Sequence, residues 1–76
     1  MTLFWFDVCR DDGAWSDDDG GTDLPSPEDA GKAALDLAYS LAKAHPPARY
    51  ISIRVRNHAP EPLLTVRLST EVLRRA

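Results

Sequence analysis

Tyr50-Ile51-Ser52-Ile53-Arg54-Val55-Arg56-Asn57 is the stretch that decides the fold of this chain. Ile51, Ile53 and Val55 alternate with Ser52, Arg54 and Arg56. A period of two puts branched apolar side chains on one face of a strand and polar ones on the other. Such a strand suits an antiparallel sheet with one face covered and one in water. Toward the C-terminus, Asn57-His58-Ala59-Pro60-Glu61-Pro62 is a loop that closes a hairpin. Leu63 to Leu68 is the return strand, with Leu64, Val66 and Leu68 inward. Ser69-Thr70-Glu71-Val72 reads as a short terminal turn of helix, capped by Ser69, with Val72 against the core.

Before the deciding strand lies a well-punctuated helix. Ser26 is a natural N-cap, Pro27 fits the first helical position, and Asp29 stands three residues after the cap. Glu28 and Asp29 suit the positive end of the helix dipole, and Lys43 and His45 the negative end. Pro46-Pro47 stops the helix near Ala44 or His45. Ala30, Ala33, Ala34, Leu37, Ala38, Leu41 and Ala44 make one apolar stripe. A stripe made mostly of alanine lets the helix lie close to a sheet that supplies the bulk.

The N-terminus opens with a strand from Leu3 to Arg10. Phe4, Phe6 and Val8 share one face; Leu3, Trp5, Asp7 and Cys9 share the other. Asp11-Asp12-Gly13 is a turn, with Gly13 free to take positive φ, and Ala14-Trp15-Ser16 is the expected short return strand. Asp17-Asp18-Asp19-Gly20-Gly21 is expected as an exposed loop. The expectation is a single α+β domain over 1–76 with ββαββ order: a small antiparallel sheet, one helix on one face, and the short C-terminal helical turn.

Phe4-Trp5-Phe6-Asp7-Val8, the Asp-rich turn, Asp19-Gly20-Gly21-Thr22-Asp23-Leu24-Pro25 and the alanine-rich helix resemble a family of small bacterial proteins, domain of unknown function 6894. The resemblance spans most of the chain. It implies an aromatic first strand, an Asp-x-x-Gly-x-Glu/Asp-Leu-Pro segment, a helix opening with acids and alanines, and a closing hairpin. The stretch 57–62, with its prolines, departs from the tight turn of that pattern. The family brings no established activity, so the resemblance supports the architecture alone.

A chain of 76 residues makes one domain with a small core. Such domains often add a disulfide, a metal or a second subunit. Cys9 is the single cysteine, so no disulfide forms within the chain, and a reducing cytosol is expected. Met1-Thr2-Leu3-Phe4-Trp5-Phe6 is apolar but short and has no basic leader, so it is not read as a signal peptide. No apolar run approaches the roughly 20 residues of a membrane span. The expected location is the cytoplasm.

The net charge of −3 is unevenly spread. Residues 1–31 hold nine acids and one base; residues 32–76 hold eight bases and three acids. Two solvated faces explain this, and so does docking between complementary surfaces.

Six aspartates between Asp11 and Asp23 invite comparison with a calcium loop. Counted from Asp17, Asp19 and Glu28 fall at ligand positions, but Thr22 stands where the turn needs glycine. A solvated acidic loop is the expectation. Cys9, His45 and His58 lack paired spacing for zinc, and Cys9 reads as a half-buried small hydrophobe. With no nucleophile–base arrangement and no phosphate loop, an enzyme, a metal and a cofactor are not expected.

The outer face of the sheet is the candidate surface. It carries Trp5, Arg54, Arg56 and Arg67 with Leu3, Asp7, Cys9, Ser52, Leu63 and Thr65. Trp and Arg are enriched where protein interfaces draw their energy. The same arginines can also cover Trp5 within one chain by stacking and cation–π contact. The expected function is a non-enzymatic interaction domain that self-associates as a homodimer through this face. A small nucleic-acid-binding or regulatory module is the alternative. Bases can stack on an aromatic flanked by arginines, but the acidic total opposes it.

Overall fold

The computed structural model describes residues 1–44, 48–71 and 73. Its elements are β1 (Thr2–Arg10), β2 (Thr22–Leu24), α1 (Pro27–Ala44), β3 (Tyr50–Arg56) and β4 (Leu64–Ser69). The strands form one sheet in the order β2-β1-β3-β4, every neighbour antiparallel. The α+β class and the ββαββ order agree with the sequence. The deciding stretch becomes β3, an inner strand between β1 and β4, ending one residue earlier than expected.

Helix α1 begins where its punctuation places it. The Asp29 N–H donates to Ser26 Oγ at 3.3 Å, and Ser26 Oγ donates to Asp29 Oδ2 at 2.9 Å. This reciprocal pair occupies an otherwise orphaned donor of the first turn. The sequence's proposed stop at His45, Pro46 and Pro47 lies outside the described residues. Ala30, Ala34 and Ala38, at successive four-residue steps, are buried against the sheet. Having nothing beyond Cβ, they bring the helix axis close to β3 and β4. The bulk comes from Phe4, Ile51, Ile53 and Val55, all fully buried. Each such side chain contributes about 1.5–3 kcal/mol. Phe6, Val8, Leu37, Leu41, Leu64, Val66 and Leu68 pack around this cluster as a half-buried rim.

Three local expectations need correction. Ala14-Trp15-Ser16 is not the second strand: only Ser16 touches β1, through an isolated bridge to Val8. The second strand is Thr22–Leu24, with Thr2 opposite Leu24 and Phe4 opposite Thr22. In the turn after β1, Asp11 and Asp12 hold the positive φ values, 50° and 57°, instead of Gly13. The Gly13 N–H donates to the Arg10 carbonyl at 3.0 Å, the pattern of a tight turn with both central residues left-handed. Asp11 is held there because its carboxylate accepts the Arg49 and Tyr50 N–H groups at 2.6 and 3.1 Å.

The C-terminal helical turn is not formed at Ser69–Glu71. Ser69 closes β4, and Thr70 continues the ladder by donating its N–H to the Arg49 carbonyl at 2.8 Å. Thr70 Oγ1 donates to the Ala48 carbonyl at 2.6 Å, which keeps the chain extended. Val72 lies outside the described residues.

The close approach of α1 predicts the cost of a larger side chain at its centre. Ala34→Leu should lower stability in urea unfolding by about 1–3 kcal/mol, because the sheet leaves no room beneath the helix.

Candidate functional site

Strand register assembles the outer face. In β1, Trp5, Asp7 and Cys9 point away from α1, and β3 sets Arg56, Arg54 and Ser52 directly opposite them. In β4, Arg67 lies opposite Ser52 and Thr65 opposite Arg54. Residues far apart in sequence therefore meet in rows across three strands, Cys9–Ser52–Arg67 and Asp7–Arg54–Thr65.

At the centre lies Asp7, fully buried although it belongs to the outer face. Its carboxylate accepts four hydrogen bonds. Arg54 Nε donates to Oδ2 at 2.9 Å, Arg56 Nε to Oδ2 at 2.5 Å, Arg56 Nη2 to Oδ1 at 2.9 Å and the Asp18 N–H to Oδ1 at 2.9 Å. Burial alone would push the Asp7 carboxyl up. The bonds from Arg56, Asp18 and Arg54 outweigh burial and hold it at about 2. The same pairing with Asp7 raises the Arg56 guanidinium above its ordinary value.

The acidic loop is tied to this centre. Asp18 Oδ2 accepts the Phe6 N–H at 3.1 Å, and Oδ1 accepts the Gly20 and Gly21 N–H groups at 3.1 and 3.2 Å. Those donors, the Phe6 N–H above all, lower the Asp18 carboxyl. Asp18 thus stands in for a strand beside Phe6, and the expectation of a merely exposed loop fails at this residue. Gly21 lies at φ 73°, where a Cβ would stand 3.0 Å from Leu3 Cδ1 and 3.1 Å from Trp5 Nε1. Only glycine lets the loop close onto β1 there.

Each arginine of the face also covers an aromatic ring. The Arg54 guanidinium carbon is 4.4 Å from the Trp15 ring centre, Arg56 is 5.7 Å from Trp5, and Arg67 is 4.9 Å from Tyr50. Arg54 Nη2 donates to Asp17 at 3.1 Å, and Arg67 pairs with Asp12 and donates Nε to Ser52 Oγ at 3.1 Å. His58 meets Trp5 edge-on at 5.2 Å between ring centres. Cys9 is buried, with its thiol donating to the Gly13 carbonyl at 3.1 Å.

The four candidate residues therefore share one face but not one cluster. Trp5, Arg54 and Arg56 meet around Asp7; Arg67 stands apart with Tyr50, Ser52 and Asp12. Asp18, Trp15 and Tyr50 were missing from the sequence-based face, and Asp7 was placed on that face but not among its four candidate residues. Asp7 had a signal: it is the one acid in an apolar strand, and it falls on the face that carries Arg54 and Arg56. Among the described residues, no three His, Cys, Asp or Glu side chains group as metal ligands.

Residues 3–69 match the model of a family described as Domain of unknown function (DUF6894). The chain belongs to this family. The match runs from the second residue of β1 to the last residue of β4, so the DUF6894 domain includes all of the sheet but Thr2, the helix and the Asp7 centre. No curated protein and no solved structure matches the chain.

Two outcomes follow for the Asp7 centre. Asp7→Asn should cost about 3 kcal/mol in urea unfolding, the low end for a broken buried pair because both guanidinium groups reach solvent. A loss below about 1 kcal/mol would show that the pairing does not hold the sheet. Because the folded Asp7 carboxyl lies at about 2, against 3.8 unperturbed, its stabilisation is complete above the unfolded value. It should fade as pH drops, by about 2 kcal/mol between about pH 5 and pH 2. Denaturant midpoints across that range should fall in the wild type and fall less in Asp7→Asn.

Proposed function

We propose that this DUF6894 domain is non-catalytic and works by binding protein. It self-associates, and it presents the outer face of its sheet, with Trp5, Arg54, Arg56 and Arg67, to a protein partner. One observation carries the reading: both tryptophan rings stack on arginines of a sheet face that α1 does not cover, and those arginines are already fixed by bonds within the chain. Side chains ordered in advance lose little freedom on docking, and Trp and Arg are the residues that dominate interface energy.

The electrostatics support a binding face over a catalytic one. Asp7 remains a carboxylate with four donors on it, which leaves no proton to give and no lone pair free to accept one. Arg54, Arg56 and Arg67 each face an aspartate, which opposes a phosphate backbone and favours protein over nucleic acid. Self-association has its own support in the small core, whose half-buried rim gains area from a second copy.

Light scattering across a concentration series should give a dimer mass that persists in high salt; a monomer throughout removes self-association. Trp15→Glu, which alters the face without touching Asp7, should keep the fold and the dimer. It should also lose a host-cell protein that the wild type retains on a resin. Equal retention by both, or none by either, removes the face from the reading.

A further inference from the structure

The sheet has two outer sides, and they are treated differently. On the far side of β1, every outward-facing amide from Thr2 to Val8 has cover. Thr2 and Phe4 lie opposite β2, the Phe6 N–H goes to Asp18, and the Val8 N–H goes to the Ser16 carbonyl at 2.9 Å. β2 itself is three residues long and carries Asp23. Short length and charge are the usual protections of an edge.

β4 is less protected: its one charge, Arg67, is paired with Asp12 on the outer face. It is six residues long with no proline, and among the described residues no strand lies on its far side. The bond from the Thr70 N–H to the Arg49 carbonyl fixes the phase of the β3–β4 ladder. Leu64, Val66 and Leu68 therefore bond inward to β3, and the amides of Thr65, Arg67 and Ser69 point outward.

An apolar strip runs along the same side. Leu64, Val66 and Leu68 are only half-buried by their own helix. A Cβ at Gly31 would stand 3.8 Å from Leu64 Cδ2, so the Gly31 side of α1 faces β4. Leu35 shares that side at one turn's spacing and Tyr39 continues it outward. Leu35 is 42% exposed and Tyr39 51%. An open row of amides and an apolar strip thus lie side by side.

We infer that this edge pairs with the same edge of a second copy, β4 antiparallel to β4, to form one continuous eight-stranded sheet. The inference rests on the self-association proposed above and gives it a surface distinct from the outer face. The occupant is a second copy because the edge is self-complementary in one register. With Val66 opposite Val66, Leu64 of each copy meets Leu68 of the other on the helix side. Thr65 of each meets Arg67 of the other on the outer side, and these two residues exchange their outward backbone bonds. A shift of two residues one way would set Arg67 against Arg67, and like charges directly opposite are unfavourable; the same shift the other way sets Thr65 against Thr65 and leaves only three residues of each β4 paired, without the Leu64–Leu68 contacts.

The helices fit the same arrangement. Strands lie about 4.8 Å apart, and α1 lies over β3 and β4, so the two helices would run about 10 Å apart across the twofold axis. That is the ordinary distance between packed helices. Leu35 and Tyr39 then fill the seam, adding the apolar area that strand pairing alone lacks for a stable dimer of about 1,200 Å² or more. The outer faces of both copies stay open and form one broad surface.

The experiment is a dilution series on the wild type and on Thr65→Pro. The Thr65 N–H points outward, so proline there removes a pairing bond between copies and none within the sheet. Wild type should be a dimer and Thr65→Pro a monomer with the same circular dichroism. Hydrogen exchange on the wild type decides the matter even if Thr65→Pro fails to fold. The amides of Thr65, Arg67 and Ser69 should exchange at least tenfold more slowly in the dimer than in the dilute monomer; unchanged exchange overturns the edge pairing. Both tryptophans lie on the outer face, so their emission maximum should stay constant as the dimer forms. A blue shift on association, or a dimer that survives Thr65→Pro, overturns the edge while self-association stands. A wild type that is monomeric at every concentration overturns both.

Discussion

Asp7, buried in the sheet with Arg54 and Arg56 donating to its carboxylate, is the interaction on which the outer face depends. A lone buried carboxylate would be strongly unfavourable. Two guanidinium groups and one amide make it tolerable and at the same time fix where those arginines point. With their Nε atoms committed to Asp7, Arg54 and Arg56 lie flat and cover Trp15 and Trp5. The Asp18 N–H completes the set, and the carboxylate of Asp18 then reaches back to β1. A loop of aspartates and glycines, which has no apolar side chains to bury, is thereby held to the sheet by hydrogen bonds alone.

The opposite layer solves a different problem. A small domain has little apolar surface to bury, and a helix of ordinary leucines would stand away from so narrow a sheet. Ala30, Ala34 and Ala38 bring the helix down onto Ile51, Ile53 and Val55, so the few large side chains are fully used. The consequence is a rim. Leu64, Val66 and Leu68 extend past the shelter of so slim a helix, on the strand that no other strand flanks on its far side among the described residues. The feature that makes the core compact also leaves one side of the domain unfinished.

The two faces meet in β3. Its apolar residues carry the core, and its polar residues carry the Asp7 centre, so register errors in this strand would cost both at once. That double duty explains why the strand is flanked on both sides and why its neighbour β1 follows the same alternation, with Asp7 in phase with the arginines.

Period and punctuation in the sequence determined the elements whose signals are local. The alternation at 51–56, the Ser26-Pro27 cap and the alanine stripe are properties of neighbours in the chain, and they yielded β3, β4, α1 and the α+β class. The same alternation placed Trp5, Arg54, Arg56 and Arg67 on one face, because side-chain direction in a strand follows from position. Tertiary structure alone decided what was not local. β2 is three residues without periodicity, and it exists only because Thr2 and Phe4 lie beside it; Ala14-Trp15-Ser16 had the better local signal, yet only Ser16 pairs with β1. Ser69 and Thr70 read as a helix cap, yet Arg49 and Ala48 capture Thr70 from across the sheet. The burial of Asp7 depends on contacts from residues 47 and 49 positions away, and no local pattern encodes which of many acids and arginines will meet. Strand order makes that choice, and it also decides which strand lies at the edge.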